Sequence, residues 1–254
     1  MSNALIGYTG FVGGNLTCQT SFDHFYNSKN ISEISGMTFD FLVCAAPSAA
    51  KWKARENPNQ DLQAVKVLMT YLKDVQANLA IHISTVDIYE SPINVYEDSK
   101  VAPEKSEPYG RHRFQLEEFF RSHFKNFLIV RLPALFGKGL KKNFVFDLIH
   151  NNCLELTHKD SRFQFYYLNN LWKDIQIAIS NGLKLINITS EPISAEEIAQ
   201  ECFNIKFNNI TSKQPLRYEM KTNYSHLYGG RNGYIYNKET IFQEMKEFIN
   251  NCRT

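Results

Sequence analysis

Three glycines stand at Gly7, Gly10 and Gly13 in the opening stretch ALIGYTGFVGGNL. The apolar run from Ala4 to Ile6 before them reads as a short buried strand, and Phe11, Val12 and Leu16 after them as the start of a helix face. Strand, glycine turn and helix is the layout of a phosphate-binding βα unit. Residues without side chains let the backbone turn tightly and let a pyrophosphate approach the helix N-terminus. Free N–H groups and a partial positive charge there attract the anion. The spacing is G-x-x-G-x-x-G rather than G-x-G-x-x-G, so the glycines alone also suit an ordinary strand-to-helix turn.

The rest of the chain narrows the choice. Strand-like apolar runs recur at residues 4–7, 24–26, 39–46, 79–84, 127–132 and 184–188. Helix-like segments lie between or after them at 61–76, 109–124 and 143–151. In the first of these Leu62, Val65, Leu68, Met69 and Leu72 follow helical spacing. Alternating strands and helices predict an α/β fold with a doubly wound parallel sheet of Rossmann type. Ser194 followed by Glu197 reads as a capping box, and NKETIFQEMKEFINN as a terminal amphipathic helix. Glycine and proline thin out after Gly139. The expected organisation is therefore one unit over 1–254. Residues 1–138 mainly build the dinucleotide-binding core. Residues 139–254 mainly build a small C-terminal substrate lobe, with a return to the sheet near 163–190.

Composition excludes several classes. A formal net charge of +2 is too small to imply nucleic acid or membrane partners. No apolar run approaches the ~20 residues that span a bilayer. No secretory leader is legible, because a strand-like run follows Asn3 directly. The five cysteines are scattered and odd in number, so they suggest neither a disulfide framework nor a metal site. A reducing cytoplasm is the simplest setting.

Five segments carry a resemblance. They are GYTGFVG, FDFLVCAAPSAA, ISTVDIYE, PYGRHRFQLEEF and VRLPALFGKGLKKNFVFDLI. In this order the chain resembles the extended short-chain dehydrogenase/reductases, which include nucleotide-sugar epimerases, dehydratases and reductases. The style of the fifth segment is closest to the dTDP-4-dehydrorhamnose reductases. The resemblance implies a nicotinamide dinucleotide cofactor held by Gly7, Thr9, Gly10, Phe11, Val12, Gly13, Ala45, Ala46, Pro47 and Pro133. It implies a nucleotide-sugar substrate, and it leaves a homodimer open.

Catalytic roles follow from the same resemblance. Tyr109 is the acid that protonates a carbonyl oxygen, and Thr85 holds that oxygen. A phenol titrates near pH 10, so the Tyr109 role calls for a nearby cation. Arg113 lies four residues on, on the same helix face. The family has Lys at this position. Arg has a much higher pKa and cannot pass on a proton as Lys can. His112 is not expected to substitute, because adjacent helix residues do not face each other. The family's asparagine in the preceding helix has no clear counterpart, Asp61 being the nearest. Thr85 is followed by Val86 and Asp87. Valine does no acid–base work, which argues against dehydratase chemistry.

NAD enzymes usually place a carboxylate after the second strand to bond the ribose. Here Asn27, Ser28 and Lys29 follow it, which suits the 2′-phosphate of NADP; Asp23 is close enough in sequence to keep NAD possible. Lys142, Asn143 and Arg231 are the candidate substrate contacts, in two glycine-loosened loops. The leading expectation is a NADP-dependent reductase of a nucleotide-linked keto-sugar. A nucleotide-sugar epimerase that recycles its cofactor and a non-catalytic dinucleotide-binding sensor or partner subunit are the rivals.

Overall fold

The computed structural model describes residues 2–253. The strands and α-helices run in the order β1 (Asn3–Ile6), α1 (Phe11–Leu16), β2 (His24–Tyr26), β3 (Thr38–Cys44), α2 (Lys51–Glu56), α3 (Pro58–Leu72), β4 (Gln76–Thr85), β5 (Ile93–Val95), α4 (Pro108–His123), β6 (Phe127–Leu132), β7 (Ala134–Phe136), α5 (Phe144–His150), β8 (Arg162–Phe163), β9 (Phe165–Tyr167), α6 (Leu171–Ser180), β10 (Leu185–Asn187), β11 (Ile193–Ser194), α7 (Ala195–Phe203), β12 (Glu219–Met220) and α8 (Lys238–Arg253).

The chain divides into two compact units. The first comprises residues up to 90, 99–131 and 171–186. It is built on a six-stranded parallel sheet of order β10-β6-β4-β3-β1-β2, as the alternating pattern predicts. The order reverses at β1: β2 lies on one side of it and β3 on the other. A doubly wound sheet opens a crevice at such a reversal, outside the carboxyl ends of its strands. Ile6 pairs with Cys44 in register, so the segments following β1 and β3 leave the sheet side by side at that crevice.

The core of this unit explains the local pattern. Val65, Leu68 and Leu72 of α3 and Leu116 and Phe120 of α4 bury against Ala4, Ile6, Leu42, Cys44 and Ala80 of the sheet. Each fully buried Leu or Phe of this kind contributes roughly 1.5–3 kcal/mol. Helix α3 spans Pro58–Leu72 rather than 61–76. Pro58 fits the first helical position, where a missing N–H is not needed, and Gln76 opens β4.

The second unit holds residues 91–98, 132–170 and 187 onward. Its core gathers Phe136, Phe144, Phe165, Ile198, Ile241, Met245 and Phe248. Ser194 and Glu197 form the predicted capping box at α7, each side chain accepting from the other's backbone N–H.

Candidate functional site

The glycine turn sits at the crevice of the first unit. Gly7 takes φ +86°, a conformation that L side chains rarely adopt. A Cβ there would stand 2.6 Å from the Ala45 carbonyl oxygen, so glycine lets the post-β1 turn touch the post-β3 segment. A Cβ on Gly13 would lie 2.2 Å from the Gly7 oxygen, so glycine also lets α1 seat against the turn. Gly10 differs. Its Cβ would meet only the Gly7 oxygen, at 3.2 Å, with nothing else within 4 Å. Gly10 and Thr9 are exposed, and Gly10 caps α1 without a side-chain hydrogen bond. Two glycines thus build the turn and the third leaves its face open, as a phosphate cradle requires. Phe11 and Val12 open the first turn of α1, and Ala45, Ala46 and Pro47 follow β3 beside it. These residues fit a dinucleotide. Pro133, between β6 and β7, is buried and belongs to the second unit.

The end of β2 carries the ribose question. Asn27 donates from Nδ2 to the Tyr8 hydroxyl at 3.1 Å and accepts the Lys29 N–H at 2.8 Å. Ser28 and Lys29 are exposed. Asp23 stands at the opposite end of β2, where its carboxylate accepts the Asn3 N–H at 2.8 Å. The register that sequence leaves open therefore removes Asp23 from the crevice.

The candidate residues Thr85, Tyr109 and Arg113 gather where α4 meets the end of β4. Thr85 is the last residue of β4, and its Oγ1 accepts the Asp87 N–H at 3.2 Å. Gly110, a residue the sequence reading passes over, permits the approach. A Cβ on it would stand 1.7 Å from the Asp87 carbonyl oxygen. Tyr109 precedes it and is buried at 8% exposure. The Arg113 guanidinium carbon lies 4.4 Å from the centre of the Tyr109 ring, as the four-residue spacing predicts.

Arg113 has further partners. Nη1 and Nη2 donate to the two Asp61 oxygens at 3.0 and 2.8 Å, and Nη2 donates also to the Ser48 carbonyl at 2.7 Å. His112 Nδ1 lies 2.8 Å from Asp61 Oδ2. Adjacent helix residues do not face each other, yet His112 and Arg113 straddle one carboxylate held between them by α3. The post-β3 segment is also tied to the post-β4 turn, by Lys51 Nζ at 2.6 Å from Asp87 Oδ1.

The electrostatics correct one expectation. Arg113 does pull the Tyr109 phenol down, but burial outweighs it, and the Asp87 and Asp61 carboxylates add to burial. The phenol is held above its ordinary value. Asp61 itself is held below the usual carboxylate value: burial acts upward, and hydrogen bonds and charge from Arg113 and His112 overcome it.

Beneath the site Ser84 donates to Glu117, and Glu117 forms a fork with Arg131 at 3.0 and 2.7 Å. Arg131 Nη1 donates to the Tyr89 hydroxyl at 2.7 Å. Each member lies in one of the segments that carry the resemblance, Ser84 and Tyr89 in ISTVDIYE, Glu117 in PYGRHRFQLEEF and Arg131 in VRLPALFGKGLKKNFVFDLI, but their pairing is not legible from those segments because it forms across the fold.

The remaining candidates belong to the second unit. Lys142 and Arg231 are exposed. Asn143 caps α5: its Oδ1 accepts the Val145 and Phe146 N–H groups and its Nδ2 donates to the Leu135 carbonyl. Arg231 lies in the wall of an open, polar cavity with Glu191, Tyr228 and Tyr234.

No family model matches the chain, and no curated protein sequence is similar to it. Solved structures are. A dTDP-4-dehydrorhamnose reductase from Clostridium acetobutylicum matches over 100% of both chains, with 18% identity and a TM-score of 0.73. The dTDP-4-dehydrorhamnose reductase from Bacillus anthracis in complex with NADP matches over 99% of both, with 18% identity and a TM-score of 0.74. A variant UDP-glucuronic acid 4-epimerase from Bacillus cereus, in complex with NAD and a fluorinated UDP-sugar, matches over 99% of this chain and 100% of that one. Its identity is 15% and its TM-score 0.70. The chain thus shares the fold of these solved structures over nearly its whole length.

Proposed function

We propose that the protein is a NADPH-dependent reductase of a nucleotide-linked keto-sugar. The observation that carries this reading is the placement of Tyr109, with Arg113 on its ring, against the turn that follows Thr85. That turn is tied through Lys51 to the segment flanking the open glycine cradle. The relatives in fold support the substrate class, since their names include reductases and epimerases of nucleotide-linked sugars.

A reduced nicotinamide held at the glycine turn by Gly7, Gly10 and Gly13 would supply hydride for a carbonyl carbon. Tyr109 would give its phenolic proton to the carbonyl oxygen, so that the carbonyl becomes a secondary alcohol. The phenol, held above its ordinary value by burial, carries its proton at neutral pH; burial makes it a weaker acid, and the charge and hydrogen bond of Arg113 work against that burial. Thr85 accepts from the Asp87 amide, so its own hydrogen remains for the substrate oxygen. Lys29 and Asn27 receive the 2′-phosphate, with no carboxylate among Asn27, Ser28 and Lys29, the three residues directly after β2, to oppose it. Lys142 and Arg231 supply positive charge for a diphosphate. Asn143 is engaged as a cap and holds the shape of the Lys142 loop.

The test is NADPH oxidation with a panel of nucleotide-linked keto-sugars, with the product sugar identified. Steady oxidation with formation of the alcohol is expected, with NADPH preferred over NADH. Tyr109→Phe should bind NADPH as the parent does and turn over ~10²–10⁴-fold more slowly. Sugar interconversion with a co-purifying cofactor and no net oxidation favours the epimerase instead. Binding of NADPH and of a sugar nucleotide without any turnover favours the sensor.

A further inference from the structure

We propose that Asp61 is the positioning residue of this site: its carboxylate holds the Arg113 guanidinium over the Tyr109 ring and so governs how readily that phenol parts with its proton. The proposal rests on the reading of Tyr109 as proton donor.

Both terminal nitrogens of the guanidinium are engaged, while Nε is buried without a hydrogen-bond partner among the described residues. The face of the group is used by the Tyr109 ring, 4.4 Å away. Its edge is used by Asp61, which takes both terminal nitrogens in a fork, and by the Ser48 carbonyl. The Arg113 side chain is 4% exposed and that of Asp61 13%, so water does little to loosen the pair. His112 Nδ1 braces the same Oδ2 that receives Arg113 Nη1. Three elements therefore meet at one carboxylate: α3 supplies it, α4 supplies the cation and the brace, and the post-β3 segment closes the fork.

The charges around the phenol are then countable. Arg113 faces it from α4, Asp61 from α3, and Asp87 from the turn after β4, with Lys51 of α2 paired to Asp87. Asp61 neutralises the cation nearest the ring. Without its charge, one of the two carboxylates that oppose Arg113 at the phenol is gone, and the balance moves toward the phenolate. With Lys in place of Arg113, one rotatable ammonium could not satisfy the ring face and the carboxylate fork together. Asp61 is thus the partner that goes with the arginine.

The experiment titrates cofactor-free protein by tyrosinate absorbance, with Tyr109→Phe as the blank that isolates the Tyr109 step. Asp61→Asn is expected to move that step down, since it removes a carboxylate that raises the phenol. It should also shift the alkaline limb of the kcat profile the same way while leaving KM for NADPH near the parent value. Asp61→Glu, which keeps the charge, should return the step toward the parent. A Tyr109 step unmoved by Asp61→Asn overturns the proposal. Should Asp61→Asn not fold, the parent itself decides. A clamped guanidinium gives separate, exchange-protected Nη signals for Arg113 in nitrogen-15 spectra, and a single averaged, fast-exchanging signal overturns the clamp. Neither the titration nor the spectrum needs turnover. A clamp that is present in a protein without reductase activity would therefore refute the donor reading alone.

Discussion

Gly110 and Asp87 meet so closely that a Cβ on the glycine would stand 1.7 Å from the aspartate's carbonyl oxygen. Glycine inside a helix normally costs about 1 kcal/mol relative to alanine. Here Gly110→Ala should do the opposite of the helix rule. Backbone cannot yield as a side-chain tip can, so α4 must lift from the post-β4 turn, at roughly 1–3 kcal/mol. Denaturant midpoints of the two proteins measure this. A Gly110→Ala protein as stable as the parent would show that α4 can relax without loss.

The glycines of the first turn should separate by role. Gly10 has φ −81° and ψ 173°, extended backbone that any residue adopts, and its Cβ position meets a single atom, the Gly7 oxygen at 3.2 Å, which a shift of a few tenths of an ångström relieves. Gly10→Val should therefore fold, and calorimetry should find NADPH affinity reduced at least about tenfold because the side chain fills the phosphate approach. Gly13→Ala places its methyl 2.2 Å from the Gly7 oxygen and should lose stability before any question of binding arises. Unchanged affinity in Gly10→Val would remove the cradle from this turn.

Glu117 and Arg131 are a buried pair, at 0% and 1% exposure. Arg131→Met leaves the Glu117 charge without its fork, and the cost expected for breaking such a pair is about 3–5 kcal/mol. Arg121, 3.5 Å from Glu117 Oε2, and the Ser84 hydroxyl remain beside that carboxylate, and adding Glu117→Gln removes the buried charge and should recover part of the loss. Urea unfolding of the single and double variants gives the comparison; equal stability of the two would mean that the carboxylate finds another partner.

His82 lies within β4, fully buried and stacked on Phe120 at 4.9 Å between ring centres. Burial drives its imidazole down from 6.5 to about 4. The unfolded chain takes up this proton near its ordinary value and the folded one resists it. The contribution is thus complete above pH 6.5 and is lost as the pH falls toward 4. Between about pH 7 and pH 5 it amounts to about 2 kcal/mol. His82→Leu should flatten the fall in stability over that range, measured as urea midpoints. A variant with the parent's slope would assign the loss to other groups.

Much of the fold was legible. All six strand-like runs enter the central sheet, since short apolar runs between helical patterns have few other places to go. Boundaries were less so: α3 begins at Pro58 and yields Gln76 to β4, because periodicity marks a face and not its ends. Tyr109, Thr85 and Arg113 could be named from motif and spacing. Their electrostatics could not, since burial outweighs Arg113 at the phenol.

By itself the sequence determined what acts over a few residues. The glycine turn after β1, the capping box of Ser194 and Glu197, and Arg113 on the Tyr109 ring all depend on backbone geometry within one turn of chain. Tertiary structure alone decided what meets across the fold. It set Asp61 against residues 51 and 52 positions away, brought Gly110 to Asp87, and placed Asp23 at the far end of its strand. Those contacts follow from sheet order, register and the depth at which helices seat on the sheet. Many side chains fix these jointly, and no single stretch of sequence encodes them.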